Sequence, residues 1–243
     1  MPGVVGKSAS SMLAGLLDTE FPLTKFFIGL CVAVYVLCML GGGRIEILGM
    51  SPLVAVQWGA LAGDPIHGSL GSLQPWRYLS AMFVHFGILH IAFNMMALWD
   101  FGRATERHLG SARFCIIFVG TGIAGFYASD LWFVGVRGAP YLTAGASGGL
   151  FGLVGTLIGY LYARRDPMWK KFLMRVAILA AIFAIVLPVN NAAHIGGFLA
   201  GAPLGYLAYK ENRPWKLNVL FGWLAGALVL MSVGSVLLSR VYS

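Results

Sequence analysis

Seven stretches of this chain are apolar for long enough to cross a lipid bilayer, and no other feature of the sequence limits its fold so severely. They are 23–40, 87–103, 114–131, 147–163, 172–187, 192–209 and 217–238. A membrane-spanning helix needs about 20 apolar residues at a rise of about 1.5 Å each. In hydrocarbon every backbone N–H and C=O must find a partner within the protein, which favours helices. Charged residues make up only 11% of the chain, against roughly 25% in soluble domains. The expected fold is therefore an all-α polytopic membrane protein. The connection 41–86 contains Pro52, Pro65 and Pro75 with Trp58, Trp76 and Tyr78. It is too apolar for a disordered linker and reads as a folded loop lying partly in the membrane interface, where aromatic residues concentrate. Segment 79–86 is also apolar and offers an alternative start for the second span.

The formal net charge is +8, but the basic residues sit in short clusters between apolar runs. Lys7, Lys25, Arg103, Arg107, Arg113, Arg164, Arg165, Lys170, Lys171, Arg175, Lys210, Arg213 and Lys216 fall on one side. Arg44, Arg77, Arg137 and Arg240 fall on the other. Positive residues collect in the cytoplasm, so the N-terminus is expected inside and the C-terminus outside, which requires an odd number of spans. No continuous basic face is offered to a duplex, which excludes nucleic acid as a partner. Cys31, Cys38 and Cys115 are odd in number and lie in apolar runs, so neither a disulfide framework nor a metal cluster is expected. No cofactor is called for. Residues 1–22 lack the apolar core and small-residue cleavage site of a removable signal peptide.

With that orientation, spans two, four and six all begin on the outer side. His90 and Asn94, in "HIAFN", occupy the first turns of span two; Ser147 opens span four; His194, in "NNAAHIGG", lies in the first turn of span six. Three segments thus deliver polar side chains to one depth. Each residue alone has a structural reading. Ser147 among Gly145, Gly148 and Gly152 suits close helix packing. His194 suits a carbonyl-bonded histidine, although ionisable groups within spans usually mark function. His90 and Asn94, at i and i+4, share a helix face and suit an interhelical polar staple. Taken together they suit a serine nucleophile with a histidine base, since a serine hydroxyl needs a base within about 3 Å. The amide of Ser147, freed at a helix N-terminus, together with His90 and Asn94, could donate to an oxyanion. Asp130 and Asp166 read as loop residues, and Asp100 and Glu106 lie toward the other side, so a dyad is expected rather than a triad. Gly148 with Gly152, and Gly197 with Gly201, are spaced four apart and would let spans four and six pack closely. Span four, at 17 residues and about 25 Å, is short for the bilayer, so Ser147 should sit in a recessed, wet pocket.

The motifs "GASG" at 145–148, "HIAFN" at 90–94, "AHIGGFLAG" at 193–201, "WR" at Trp76 and Arg77, and "ERHLGSARF" from Glu106 resemble those of the rhomboid family of intramembrane serine proteases. The likeness runs from about Trp76 to Tyr209. It implies a rhomboid-like six-helix bundle over 23–210, after a short cytoplasmic segment 1–22. Residues 211–243 would add a linker and a seventh transmembrane helix. It also implies a serine endopeptidase with catalytic Ser147 and His194, with His90 and Asn94 binding the oxyanion, and no metal or cofactor. The partners implied are the lipid bilayer and single-span membrane-protein substrates, admitted laterally past span five and the loop around 188–191. Members often carry tyrosine four residues after the serine; Phe151 stands there instead, so its ring can pack against the histidine without contributing a hydroxyl.

Two other classes compete. A catalytically inactive relative that binds membrane clients is disfavoured because Ser147 and His194 are both present. A transporter or channel is disfavoured because no paired charges line several spans. Arg77 is expected to anchor the interfacial loop through carbonyls or lipid headgroups, and His85 to be a satisfied structural histidine.

Overall fold

A computed structural model describes residues 20–41, 49–186, 189–211 and 215–242. Most of segment 1–22 with Lys7, the loop residue Arg44, Leu187 and Pro188 of the expected entry loop, and Arg213 lie outside the described residues.

The chain is largely helical. Helix α1 spans Pro22–Gly41; α2 (Pro52–Gln57), α3 (Leu70–Leu73) and α4 (Arg77–Ser80) are short. Helix α5 (Ile88–Ala97) passes through one widened turn, Leu98–Gly102, into α6 (Arg103–Leu109). Helix α7 (Ser111–Asp130) ends in a second widened turn, Leu131–Val136. Then follow α8 (Ser147–Ala163), α9 (Met168–Val186), α10 (Asn191–Lys210) and α11 (Trp215–Val241). Among the described residues, three helical stretches are long and apolar enough to cross a membrane by length and composition: Pro22–Gly41, Ser111–Val136 and Asn218–Val241. Helix α8 is apolar but shorter. The fold is that of a multi-pass membrane protein with several apolar helices.

One expectation needs correction: the chain is not purely α-helical. Strands β1 (Leu61–Asp64), β2 (Gly68–Ser69) and β3 (Tyr141–Thr143) form a small antiparallel sheet in the order β2-β1-β3. Leu61 pairs with Thr143 and Gly63 with Tyr141. The sheet has a physical reason. The non-helical run before Ser147 must satisfy its backbone inside protein, and strand β1 of the 41–86 connection supplies the partners. Segment 79–86 does not extend the second span, because α4 stops at Ser80 and α5 begins only at Ile88.

The connection is pinned as a folded unit. Arg77 is 1% exposed, and its Nη1 donates to the carbonyls of Val56 (2.7 Å) and Ala60 (3.0 Å). Its Nε donates to Gln74 Oε1 at 2.5 Å. The expected carbonyl anchor is thus present, and a buried guanidinium with this many acceptors is an efficient clamp. Beneath it, Phe27 of α1 packs with Phe83 and with Phe114 and Phe118 of α7, at ring separations of 5.1–6.1 Å. Helix α1 starts on Glu106. The buried carboxylate accepts the N–H of Leu23 (3.2 Å), the N–H of Thr24 (2.9 Å) and the Thr24 hydroxyl (2.6 Å). A carboxylate there meets the unpaired amides and the positive end of the helix dipole.

Helices α8 and α10 form the most extensive helix pair. A methyl group added at Gly197, Gly201 or Gly205 would collide with the carbonyl oxygens of Gly148, Gly152 and Thr156 respectively. Both sets of residues advance by four, so the two helices run parallel, backbone against backbone, in a single register. Thr156 Oγ1 adds a bond across the seam to the Gly201 carbonyl (3.1 Å). The glycine spacing in the sequence predicts this contact, and the register brings the first turns of α8 and α10 to the same end.

Candidate active site

Ser147 is the first residue of α8, and His194 lies in the first turn of α10, three residues before Gly197. The parallel seam therefore sets them side by side: His194 Nε2 is 2.8 Å from Ser147 Oγ. Both are partly accessible. Phe151, one turn along α8, stacks on the His194 ring at 4.3 Å with an interplanar angle of 12°. The phenyl ring thus keeps the packing expected of it and fixes the plane of the imidazole. For Nε2 to accept the serine proton, the neutral ring must carry its own proton on Nδ1. Among the described residues no carboxylate bonds His194. Asp130 is not a loop residue as expected. It is the last residue of α7, buried, and accepts a hydrogen bond from the Tyr78 hydroxyl.

The turn before Ser147 depends on glycine. Gly145 has φ +121°, and a Cβ there would lie 2.7 Å from His90 Nε2, so any side chain would meet both backbone strain and the imidazole. Its N–H donates to the carbonyl of Ala81 at 2.8 Å, tying the turn before Ser147 to the end of α4. The first turn of α8 closes only with the Leu150 N–H to Ala146 C=O bond (3.0 Å). The amides of Ser147 and Gly148 precede it and have no partner within the helix.

His90 is therefore placed against the Gly145 backbone, two residues from Ser147. Its Nδ1 accepts the Phe86 N–H at 3.3 Å, which leaves Nε2 as the protonated nitrogen in the neutral ring. Asn94 is buried one turn further along α5, where its Nδ2 donates to the His90 carbonyl (2.8 Å) and its Oδ1 has no partner. The structure thus brings Ser147, His194 and His90 together and holds Asn94 behind His90. His85 is only half satisfied: Nδ1 bonds the Phe83 carbonyl at 3.2 Å, while the buried Nε2 has no partner.

Sequence reasoning overlooked Asn190. It caps α10 through Oδ1 to the Ala193 N–H (3.1 Å) and reaches Ser129 and Thr143 through Nδ2. The "NN" before "AAH" is a legible cap signal, but its distant partners are not. Among the described residues no group of three or more His, Cys, Asp or Glu side chains converges as a metal site would require.

A hydroxyl–imidazole pair thus stands at the N-termini of two parallel apolar helices, beside first-turn amides that have no partner within the helix. Residues 72–211 match the family profile described as the Rhomboid domain, and the chain belongs to the rhomboid family. It is 33% identical over 183 residues to "Rhomboid protease GluP" of Bacillus subtilis (strain 168), a match covering 73% of this chain and 33% of that protein. It is 30% identical over 211 residues to "Rhomboid protease GlpG" of Salmonella choleraesuis (strain SC-B67), covering 83% of this chain and 68% of that protein. The chain thus spans about a third of the length of the Bacillus relative.

Proposed function

We propose that this protein is an intramembrane serine endopeptidase that hydrolyses peptide bonds in or near transmembrane helices of membrane-protein substrates. The observation that carries the proposal is the 2.8 Å approach of His194 Nε2 to Ser147 Oγ. Ser147 Oγ attacks the scissile carbonyl carbon while its proton passes to His194 Nε2, forming the O–C bond and a tetrahedral oxyanion. The imidazolium then protonates the leaving amide nitrogen as the C–N bond breaks, which leaves an acyl-serine. His194 next takes a proton from water, the resulting hydroxyl adds to the acyl carbon, and the same proton returns to Ser147 Oγ on release. Neither step requires a cofactor.

Charge developing on the oxyanion needs donors already aimed at it. His90 Nε2 lies against the backbone of Gly145, two residues before Ser147, which supports the Ser147 amide and His90 Nε2–H as those donors; a rotation of the Asn94 side chain would add its amide. The stacked Phe151 ring, with no carboxylate bonded to His194 among the described residues, favours a dyad in which stacking orients the base.

The reading extends to topology. Six helices, α1, the α5–α6 unit, α7, α8, α9 and α10, form the protease core over 23–210, and residues 211–243 add a linker and the seventh span, α11. The asymmetry of Lys and Arg supports a cytoplasmic N-terminus, with the C-terminus and the opening of the site on the outer side. No described residue of α9 is buried, and α9 meets α5 through the Phe93–Phe183 edge contact (5.4 Å). That thin seam favours lateral entry of a single-span substrate from the bilayer.

The test is cleavage of a single-span substrate with small residues near its outer end by detergent-solubilised protein, with product masses determined. The wild type cuts at one position, and Ser147→Ala and His194→Ala each abolish the cut while retaining the fold. Persistent cleavage by Ser147→Ala removes the assignment. Binding of the substrate without cleavage by the wild type supports the client-binding alternative.

A further inference from the structure

Asn190 lies outside the dyad yet touches both the helix that carries His194 and the strand that leads to Ser147. Its Oδ1 accepts the Ala193 N–H at 3.1 Å. Only the amide oxygen can accept from a backbone N–H, so this bond fixes which way the side chain points. Nδ2 then faces two hydroxyls: Ser129 Oγ at 2.6 Å, near the end of α7, and Thr143 Oγ1 at 3.0 Å, the last residue of β3. Ser129 is 0% and Thr143 6% exposed. The backbone carbonyl of Asn190 accepts the His194 N–H at 3.2 Å. All three polar contacts of one amide are thus spent on three different elements.

Thr143 stands four residues before Ser147, and Asn190 four residues before His194. The amide therefore ties the approach to the nucleophile to the approach to the base, with Ser129 of α7 as a third fixed point. The glycine seam sets the distance between the α8 and α10 axes along their length. It does not by itself set the rotation of the first turn of α10, where the imidazole is attached. We infer that Asn190 is the positioning residue of the dyad: its three-way bond sets how His194 Nε2 presents to Ser147 Oγ. This inference rests on the hydrolase reading above.

A plain helix cap would make the same Ala193 bond, so the test must separate capping from positioning. Asn190→Ser keeps a capping oxygen but is too short to reach both hydroxyls. Thr143→Val keeps the shape of threonine without the hydroxyl, and Thr143→Ser keeps the hydroxyl. For each protein kcat and KM on a single-span substrate, the rate of Ser147 modification by a fluorophosphonate, and the thermal midpoint are measured in one detergent. Asn190→Ser and Thr143→Val should each lower kcat and the modification rate by about 10- to 100-fold, the range for a reacting group displaced by up to an ångström. KM should be nearly unchanged, and Thr143→Ser should react close to the wild-type rate. Wild-type modification rates in both Asn190→Ser and Thr143→Val overturn the inference, even if their thermal midpoints fall. Should Asn190→Ser fail to fold, the Thr143→Val and Thr143→Ser pair decides alone. A wild-type protein that neither reacts nor cleaves overturns the hydrolase reading beneath it; an active wild type with undisturbed variants overturns the role of Asn190 only.

Discussion

Replacing Gly197 by alanine inserts one methyl group into the α8–α10 seam next to the dyad. The new Cβ would lie 2.9 Å from the carbonyl carbon of Gly148 and nearer still to its oxygen. Ordinary contact begins at about 3.4 Å, and the nearer oxygen sets the limit, so the two helices must separate there by about an ångström. Gly197 is less than one turn from His194, and Gly148 adjoins Ser147, so the displacement reaches the dyad almost undiluted. A 2.8 Å hydrogen bond lengthened by that amount leaves the range in which proton transfer is well aligned. Misplacing a reacting group by about an ångström lowers rate by about 100-fold, and overpacking a close-packed interface costs about 1–3 kcal/mol. Gly205→Ala makes the equivalent collision with Thr156 at the far end of the seam. The assay is kcat on a single-span substrate, paired with the thermal midpoint in detergent. Gly197→Ala should lose at least about tenfold more kcat than Gly205→Ala for a similar fall in midpoint. Equal losses of kcat, or a fully active Gly197→Ala, would refute the idea that the seam sets the dyad.

Asn94→Ala should reduce kcat by about 10- to 1000-fold, the range for loss of one oxyanion donor; an unchanged kcat excludes Asn94 from that role. Glu106→Gln keeps the shape of the α1 cap but removes its charge and replaces one acceptor by a donor facing two amides and a hydroxyl. It should cost about 1–3 kcal/mol of stability, read as a lowered thermal midpoint, and an unshifted midpoint contradicts the capping role. Ser239→Val should loosen α11 from the connection between α1 and α5. Ser239 Oγ bonds Ser80 Oγ at 3.0 Å, and Ser80 also donates to the Gly59 carbonyl at 2.9 Å. The expected loss is about 1 kcal/mol, seen as faster proteolysis of the connection between α1 and α5; proteolysis at the wild-type rate would show that the latch is idle.

Much of this arrangement is legible in the sequence where hydropathy and residue spacing carry it. The apolar runs locate the long helices, and the four-residue glycine spacing of Gly197 and Gly201 anticipates the seam on which Ser147 and His194 meet. Helix ends shift by a few residues; α9 starts at Met168 rather than 172, because Lys170 and Lys171 can snorkel from a helix end. What is not legible depends on partners distant in sequence. Strand β3 has three residues and exists only because β1, about 80 residues earlier, supplies its hydrogen bonds. Asn190 looks like an ordinary cap until Ser129 and Thr143 are brought beside it. Glu106, which the sequence places only on the side away from the dyad, caps α1, 82 residues away.

Fluorophosphonate modification followed by peptide mass mapping tests the pairing of Ser147 with His194 most directly, because it reports the nucleophile without needing a known substrate. The wild type should carry one adduct, on Ser147. Ser147→Ala should carry none, and His194→Ala should react at least about a thousandfold more slowly. An adduct on a different residue, or modification of Ser147 at an undiminished rate in His194→Ala, would contradict the hydrolytic dyad.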